Sequence, residues 1–355
     1  MAWSGRRTRD RHVCDQQNAA QEARSHLTIA QADKARLLML AAPSADDHTQ
    51  PVVPAPIPSM TQSREPVVLV TGATGGIGRH VVDELLRAGA SVRALTRRPE
   101  QASLPAGVET VAGDFTVPES LDAALEGVST VFLVWTAPPA AAPAVIDRLA
   151  AHPAAPPRRI VYQSAPIRTP HPFFQQPNPM RELHVEIERL LAASELDVAV
   201  LRPGIFAANA LHWWAPQIRN GDVVRWPFAA AETAPIDARD VAAVAAQVVL
   251  NAKHSRGDYV LTGPESLSQA TQVRAIGDAI GRPLRFEEIS PDDFLRDTVG
   301  AWPSGVAEML LSAWRAALGR PAFVTSVVED ILGAPARTVS EWAADHSAAF
   351  ARVQR

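Results

Sequence analysis

Cysteine is almost missing from this chain: 355 residues contain one, Cys14. A single thiol excludes an intramolecular disulfide and a cysteine-rich metal centre, and no metal is expected. Tyrosine numbers two, Tyr162 and Tyr259, and the only lysines are Lys34 and Lys253. No apolar run approaches the ~20 residues that a helix needs to cross a bilayer. Arginines crowd the start (Arg6, Arg7, Arg9, Arg11), yet no apolar stretch follows them as in a secretory signal. Formal net charge is −4, with no long run of one sign. No basic stripe interleaved with aromatics offers a nucleic-acid surface. What is present is 47% hydrophobic residues, enough for a sizeable core. The expectation is a soluble, cytoplasmic protein, monomer or homodimer, that handles a small molecule and touches neither nucleic acid nor membrane.

Residues 1–65 differ from the rest. Pro51-Val-Val-Pro-Ala-Pro-Ile-Pro58 places four prolines in eight residues, which denies helix and ladder pairing and favours extended geometry. The segment reads as a mostly disordered extension. Met60 lies just before the first strand, and the expectation is that it is the natural start.

The chain is organised around Val67-Val-Leu-Val-Thr-Gly-Ala-Thr-Gly-Gly-Ile-Gly78. Val67 to Val70 read as a strand buried on both faces. Gly72, Gly75 and Gly78 follow at three-residue spacing, then an amphipathic run to Ala88. A strand, a glycine turn and a helix start form the layout that a dinucleotide pyrophosphate needs. Glycines let the backbone turn sharply and approach the phosphates, and free N–H groups of the first helical turn face the anion. Gly72, Thr74, Gly75, Gly76, Ile77 and Gly78 are the candidate phosphate loop.

Strands and helices then alternate. Strands are expected at 67–70, 91–96, 108–111, 130–135, 159–163, 198–201 and 259–261. Helices are expected at 76–88, 119–125, 144–151, 180–194 and 238–251, with a proline break at 153–157. Such alternation means right-handed crossovers and a doubly wound parallel α/β sheet covered on both faces. Residues beyond 263 read as mainly helical, at 266–281, 291–299 and 302–318. The division is therefore an extension (1–65), a nucleotide-binding domain (66–262, with 203–235 contributing to the substrate side) and a small, mostly helical C-terminal substrate lobe (263–355).

Strand two ends in Arg97-Arg98. An acidic residue near this point suits the ribose 2′-OH of NAD, whereas arginine suits the 2′-phosphate of NADP through a bidentate, charge-assisted contact. NADP(H) is expected rather than NAD(H). Asp114 and Phe115 follow strand three, with Asp114 placed to reach the adenine or, equally, to cap a turn. Trp135 and Thr136 end strand four, where the cofactor's ribose and nicotinamide side would pass.

Several motifs together resemble the NmrA-like group of atypical short-chain dehydrogenases/reductases. They are Val70-Thr-Gly-Ala-Thr-Gly-Gly-Ile-Gly78, Gly113-Asp-Phe-Thr-Val-Pro-Glu-Ser-Leu121, Val161-Tyr-Gln-Ser164, Leu201-Arg-Pro-Gly-Ile-Phe206, Ile236-Asp-Ala-Arg-Asp-Val241 and Leu261-Thr-Gly-Pro-Glu265. The resemblance covers about residues 66–290. It implies a Rossmann domain with NADP and a smaller lobe closing over it. Members include reductases of quinones, dyes and natural products, and cofactor-sensing regulators.

The wider superfamily uses a tyrosine with a lysine four residues on as its proton donor. That pair is missing here, since Pro166 and Gly263 stand four residues after the two tyrosines. The helix at 180–194 offers His184 and Glu188 at that spacing, on one face. His184 is the candidate proton donor, with Glu188 orienting it and raising its pKa. The alternative is a surface ion pair. Ser164 stands where the resemblance implies an active-site serine or threonine, although a strand-end cap would equally explain it.

The substrate side is rich in large apolar residues. A long, proline-stiffened loop at 167–179 suits a lid. Phe206, Asn209, Trp213 and Trp214, followed by Trp226 and Phe228, suit a flat ligand or a packed core between lobes. Asp237 and Asp240 read as caps of the helix at 238–251. The reading is an NADPH-dependent reductase of a small, aromatic or quinone-like compound by hydride transfer. Its alternative is a non-catalytic NADP(H)-binding redox sensor.

Overall fold

Val68 and Val70 enter one hydrophobic core and Leu69, between them, enters another. That alternation is the two-residue period of a strand covered on both faces. The strand is β1 (Val67–Thr71). In the computed structural model, which describes residues 67–152, 157, 159–176, 179–298 and 305–352, it sits in a seven-stranded sheet. The expectations for residues 1–65 and for a start at Met60 lie outside the described residues, as do most of the proline break at 153–157 and the start of the helix expected at 302–318.

The strands follow as β2 (Ser91–Thr96), β3 (Glu109–Ala112), β4 (Val128–Val134), β5 (Arg159–Gln163), β6 (Asp197–Pro203), β7 (Val223–Trp226), β8 (Glu232–Thr233), β9 (Asp258–Leu261), β10 (Leu267–Ser268) and β11 (Arg285–Glu288). The large sheet runs β3-β2-β1-β4-β5-β6-β9 with every pairing parallel. Sequence order reverses between β1 and β4, which is the switch point where open α/β sheets bind ligands at their carboxyl ends. This is a doubly wound, Rossmann-like architecture.

One face buries Val81, Val82 and Leu85 of the helix Gly76–Arg87 and the apolar stripe of the helix Ala238–Leu250. On the other face lie Val145, Ile146 and Leu149 of the helix Ala142–Ala150, and Ile187 and Leu191 of the helix Pro179–Ala193. Each such fully buried side chain contributes about 1.5–3 kcal/mol. A third cluster joins Trp214, Trp226, Phe294, Trp314, Trp342 and Phe350.

Differences from the expected elements fall in this last region. The helix expected from 266 begins at Gln269, because Leu267 and Ser268 pair with β8 and the Ser268 hydroxyl caps the helix by accepting from Thr271 N. Arg285–Glu288 is a strand, paired in parallel with β7 about 60 residues earlier, with Phe286 packed on the aromatic cluster. A further helix, Val339–Asp345, opens on a capping box between Thr338 and Glu341. That box was readable as a Thr-x-x-Glu pattern.

Candidate functional site

At the carboxyl end of β1 the chain turns through Gly72, whose φ of +63° is the left-handed region that glycine adopts freely. Gly75 N donates to Gly72 O at 2.9 Å and closes the turn. The helix then starts at Gly76 with no side-chain cap and no acidic residue in its first turn. Its amino end therefore keeps the positive field of the unpaired N–H groups. At Gly78 a Cβ would lie 2.2 Å from Gly72 O, so only glycine lets the helix approach the strand this closely. This cradle fits a dinucleotide phosphate.

Beside it opens a cleft of about 360 Å³. Gly72, Thr74, Arg97, Arg98, Asp114, Phe115 and Thr136 line it. Other residues expected at the cofactor do not. Gly75 and Gly76 are exposed, Ile77 packs on the core and Gly78 is buried against the strand. Trp135 packs against Phe115, with ring centroids 5.1 Å apart and planes tilted by 33°, and its indole N–H donates to Ala137 O at 2.6 Å. Arg97 and Arg98 are exposed, and Arg98 Nη1 donates to Gln101 Oε1 at 3.0 Å. Asp114 accepts from both Thr116 N and Thr116 Oγ1 at 2.8 Å. Those bonds, the backbone one first, hold its carboxyl below the usual range. The carboxylate thus shapes the turn while it lines the cleft. Thr71, which the sequence did not flag, ties the end of β1 to the end of β4: its hydroxyl donates to Val134 O at 2.9 Å and accepts from Val134 N at 2.7 Å.

The His184–Glu188 arrangement differs from the expectation. Glu188 is buried and turns to Arg202, which donates to its two carboxylate oxygens at 2.6 and 2.8 Å. Arg202 also reaches Asp258 at 2.5 and 3.0 Å and Ala165 O at 3.1 Å. The Ser164 hydroxyl donates to Glu188 Oε1 at 2.5 Å, and exposed Arg168 pairs with Glu188 at 3.1 Å. His184 instead meets Tyr162, with Nδ1 2.6 Å from the phenol oxygen. Burial pushes the His184 pKa below its ordinary value, although the charge of Glu188 pulls the other way. The expected rise is therefore reversed, because desolvation penalises the cationic imidazole more than a carboxylate committed to Arg202 rewards it. Burial, and then the charge of Glu188, push the Tyr162 hydroxyl well above its usual value. None of Ser164, His184 and Glu188 lines either cleft described here.

A second cavity, about 220 Å³, opens at the carboxyl ends of β5 and β6. Phe206, Asn209 and Trp213 line it, as expected of a ligand site. Trp214 does not: the helical turn Ala210–Trp213 swings adjacent side chains apart, and Trp214 is 1% exposed within the aromatic cluster. The remaining wall is Phe173 and Phe174 of the proline-rich loop, and Met309, Leu310 and Ala313 of the helix Val306–Ala317. Nothing in the local sequence around Met309 marked it. Asp237 caps its helix through Arg239 N, whereas Asp240 departs from the expected cap and accepts from Arg337 N at 2.8 Å. Among the described residues no cluster of three or more metal-ligating side chains occurs, and no helix is long and apolar enough to cross a membrane.

A family model described as NAD(P)H-binding matches residues 72–252. The chain is 37% identical over 287 residues to a (4-alkanoyl-5-oxo-2,5-dihydrofuran-3-yl)methyl phosphate reductase of Streptomyces griseus, covering 80% of this chain and 99% of that one. It is 32% identical over 290 residues to an NAD(P)H azoreductase of Xenophilus azovorans, again covering 80% and 99%. In fold it is similar to an NADPH-dependent quinone oxidoreductase of Escherichia coli crystallised with NADPH. That match has a TM-score of 0.67 at 24% identity and covers 78% of this chain and 99% of that one.

Proposed function

The chain belongs to the NAD(P)H-binding, NmrA-like group of atypical short-chain dehydrogenases/reductases and is an NAD(P)-dependent oxidoreductase, and from that premise we propose that it is an NADPH-dependent reductase of a flat, electron-poor aromatic or quinone-like acceptor. One observation carries the choice of acceptor. A mostly apolar, aromatic-walled cavity opens at the carboxyl edge of the same sheet whose switch point holds the nucleotide cleft. A regulator that only sensed the cofactor would have no use for such a space, so the open cavity favours turnover over sensing.

Gly72, Thr74, Asp114, Phe115 and Thr136 would hold the dinucleotide, with Arg97 and Arg98 gripping the 2′-phosphate. When bound, the cofactor supplies a hydride to the acceptor. Phe206 and Trp213 would bind the acceptor's flat faces, and Asn209 would donate a hydrogen bond to its polar edge. Phe173 and Phe174 would keep water away. Reduction of a quinone needs one proton beside the hydride. His184 lines neither cleft, so the reduced acceptor takes that proton from solvent rather than from the imidazole. Glu188 is a positioning residue: through Arg202 and Ser164 it fixes the ends of β5 and β6 that carry the cavity. The relatives' names, a furanone reductase and an azoreductase, support a conjugated, electron-poor acceptor.

The test is NADPH oxidation by the purified chain against a panel of quinones, azo dyes and enones. Turnover of flat conjugated acceptors is expected. Tight NADPH binding with no turnover on any acceptor would overturn the reductase and leave the sensor.

A further inference from the structure

Asn209 stands where the short helix Ala210–Trp213 begins, yet its side chain does not cap that helix. A capping asparagine has extended backbone geometry. Here the single helical turn Ala207–Asn209 runs straight into the helix, and Asn209 is itself helical, with φ −59° and ψ −30°. Among the described residues no other hydrogen bond engages its amide. The side chain is half-buried and lines the apolar cavity instead. Gln176 and Arg181, on the same cavity, donate to Pro172 O at 3.0 Å and to Ile167 O at 3.1 Å. Trp213 follows Asn209 by four residues, which on a helical stretch is the same face. It lines the cavity too, and its ring is fixed by stacking on Trp226 at 6.2 Å and by the edge-on Trp314 at 5.4 Å. A flat platform and an uncommitted amide therefore share one side of the cavity.

We infer that Asn209 makes the site specific for a carbonyl: its Nδ2–H donates to the oxygen of a ketone, enone or quinone whose flat body lies on Trp213. The walls around it are apolar, so a flat molecule without such an oxygen displaces water from the amide and returns no hydrogen bond. A site built to bond a polar group rejects the analogue that lacks it for this reason. The stack on Trp213 places the body, and Asn209 fixes which edge of it is turned to the amide. The inference rests on the reductase reading only for what the bound molecule then undergoes. It goes beyond that reading by naming the functional group of the substrate and the residue that selects it.

The test is an isosteric pair titrated calorimetrically into the full chain: 2-acetylnaphthalene and 2-isopropenylnaphthalene, which differ only in a carbonyl oxygen against a methylene. The ketone-to-alkene ratio of affinities is expected to fall about threefold to tenfold from wild type to Asn209→Leu, the range of a neutral hydrogen bond. Asn209→Asp keeps the shape of the side chain and is expected to lower the ratio at least as far, since a carboxylate has no N–H to donate. If the leucine variant fails to fold, the aspartate variant decides. A purely structural Asn209 would shift both ligands together and leave the ratio alone. An unchanged ratio in either folded variant, or no binding of the ketone to the wild type, would overturn the inference. The two readings fail separately. A ratio that falls in the variants without turnover of any acceptor would sink the reductase and keep the carbonyl site. Turnover with an unchanged ratio would do the reverse.

Discussion

The phenol oxygen of Tyr162 lies 2.6 Å from His184 Nδ1, with Tyr162 fully buried in the sheet core and His184 half-buried on the helix Pro179–Ala193. Tyr162 stands on β5 and His184 on that helix, so the contact ties the helix to the sheet. Burial raises the pKa of the tyrosine and lowers that of the histidine, which favours the neutral form of each.

That relationship makes stability depend on pH in a defined direction. His184 has a folded-state pKa below its unfolded value of 6.5. Below that value the unfolded chain binds a proton that the folded chain resists, so stability falls as pH drops through the window beneath 6.5 and is regained above it. Melting temperatures at about pH 5 and about pH 7.5 should therefore differ more in the wild type than in His184→Gln. Equal differences would show that the imidazole is not the buried base described here. Turnover of quinones should survive the same substitution, since His184 lines neither cleft.

Glu188 should be indispensable to the fold. Its removal leaves Arg202, which is 0% exposed, with Asp258 as its remaining carboxylate partner. Glu188→Ala is expected to cost about 3–5 kcal/mol, as when one member of a buried ion pair is deleted. Urea denaturation measures it. A loss below about 1 kcal/mol, the worth of an exposed pair, would mean that the network is not stabilising.

Two neighbouring glycines should behave oppositely. At Gly78 an added Cβ would meet Gly72 O at 2.2 Å, whereas at Gly76 it would meet nothing within 4 Å. Gly78→Ala is expected to destabilise by about 1–3 kcal/mol and to weaken NADPH binding, because the helix must back away from the strand. Gly76→Ala should stay within about 0.5 kcal/mol of the wild type. Calorimetric titration with NADPH and thermal melts on both variants make the comparison.

Cofactor choice should reside in Arg97 and Arg98. Replacing both by alanine is expected to lower the NADPH-to-NADH ratio of kcat/KM by about tenfold to a hundredfold, the loss of charge-assisted contacts to one phosphate. Steady-state kinetics with the two nucleotides measure that ratio. If it does not move, the 2′-phosphate is held elsewhere.

The nucleotide end of this protein was legible in its sequence because its requirements are local. Three glycines at three-residue spacing after four apolar residues describe one turn and one helix start, and the arginine pair follows the very next strand. The four apolar residues also read as a strand buried on both faces, and Val68 and Leu69 do enter different cores. Tertiary structure alone decided the chemistry of the other end. Glu188 has His184 one turn before it in sequence but faces Arg202, which in turn holds Asp258, 56 residues farther on. Trp213 lines the cavity and Trp214 is sealed in the core, though the two are adjacent. Met309 and Leu310 complete the cavity wall from a helix beyond the Rossmann sheet. A periodic pattern says which face of an element is buried; it does not say which distant element covers that face. Partner choice is settled by the packing of the whole chain, where burial also reverses the sign of the shift expected for His184.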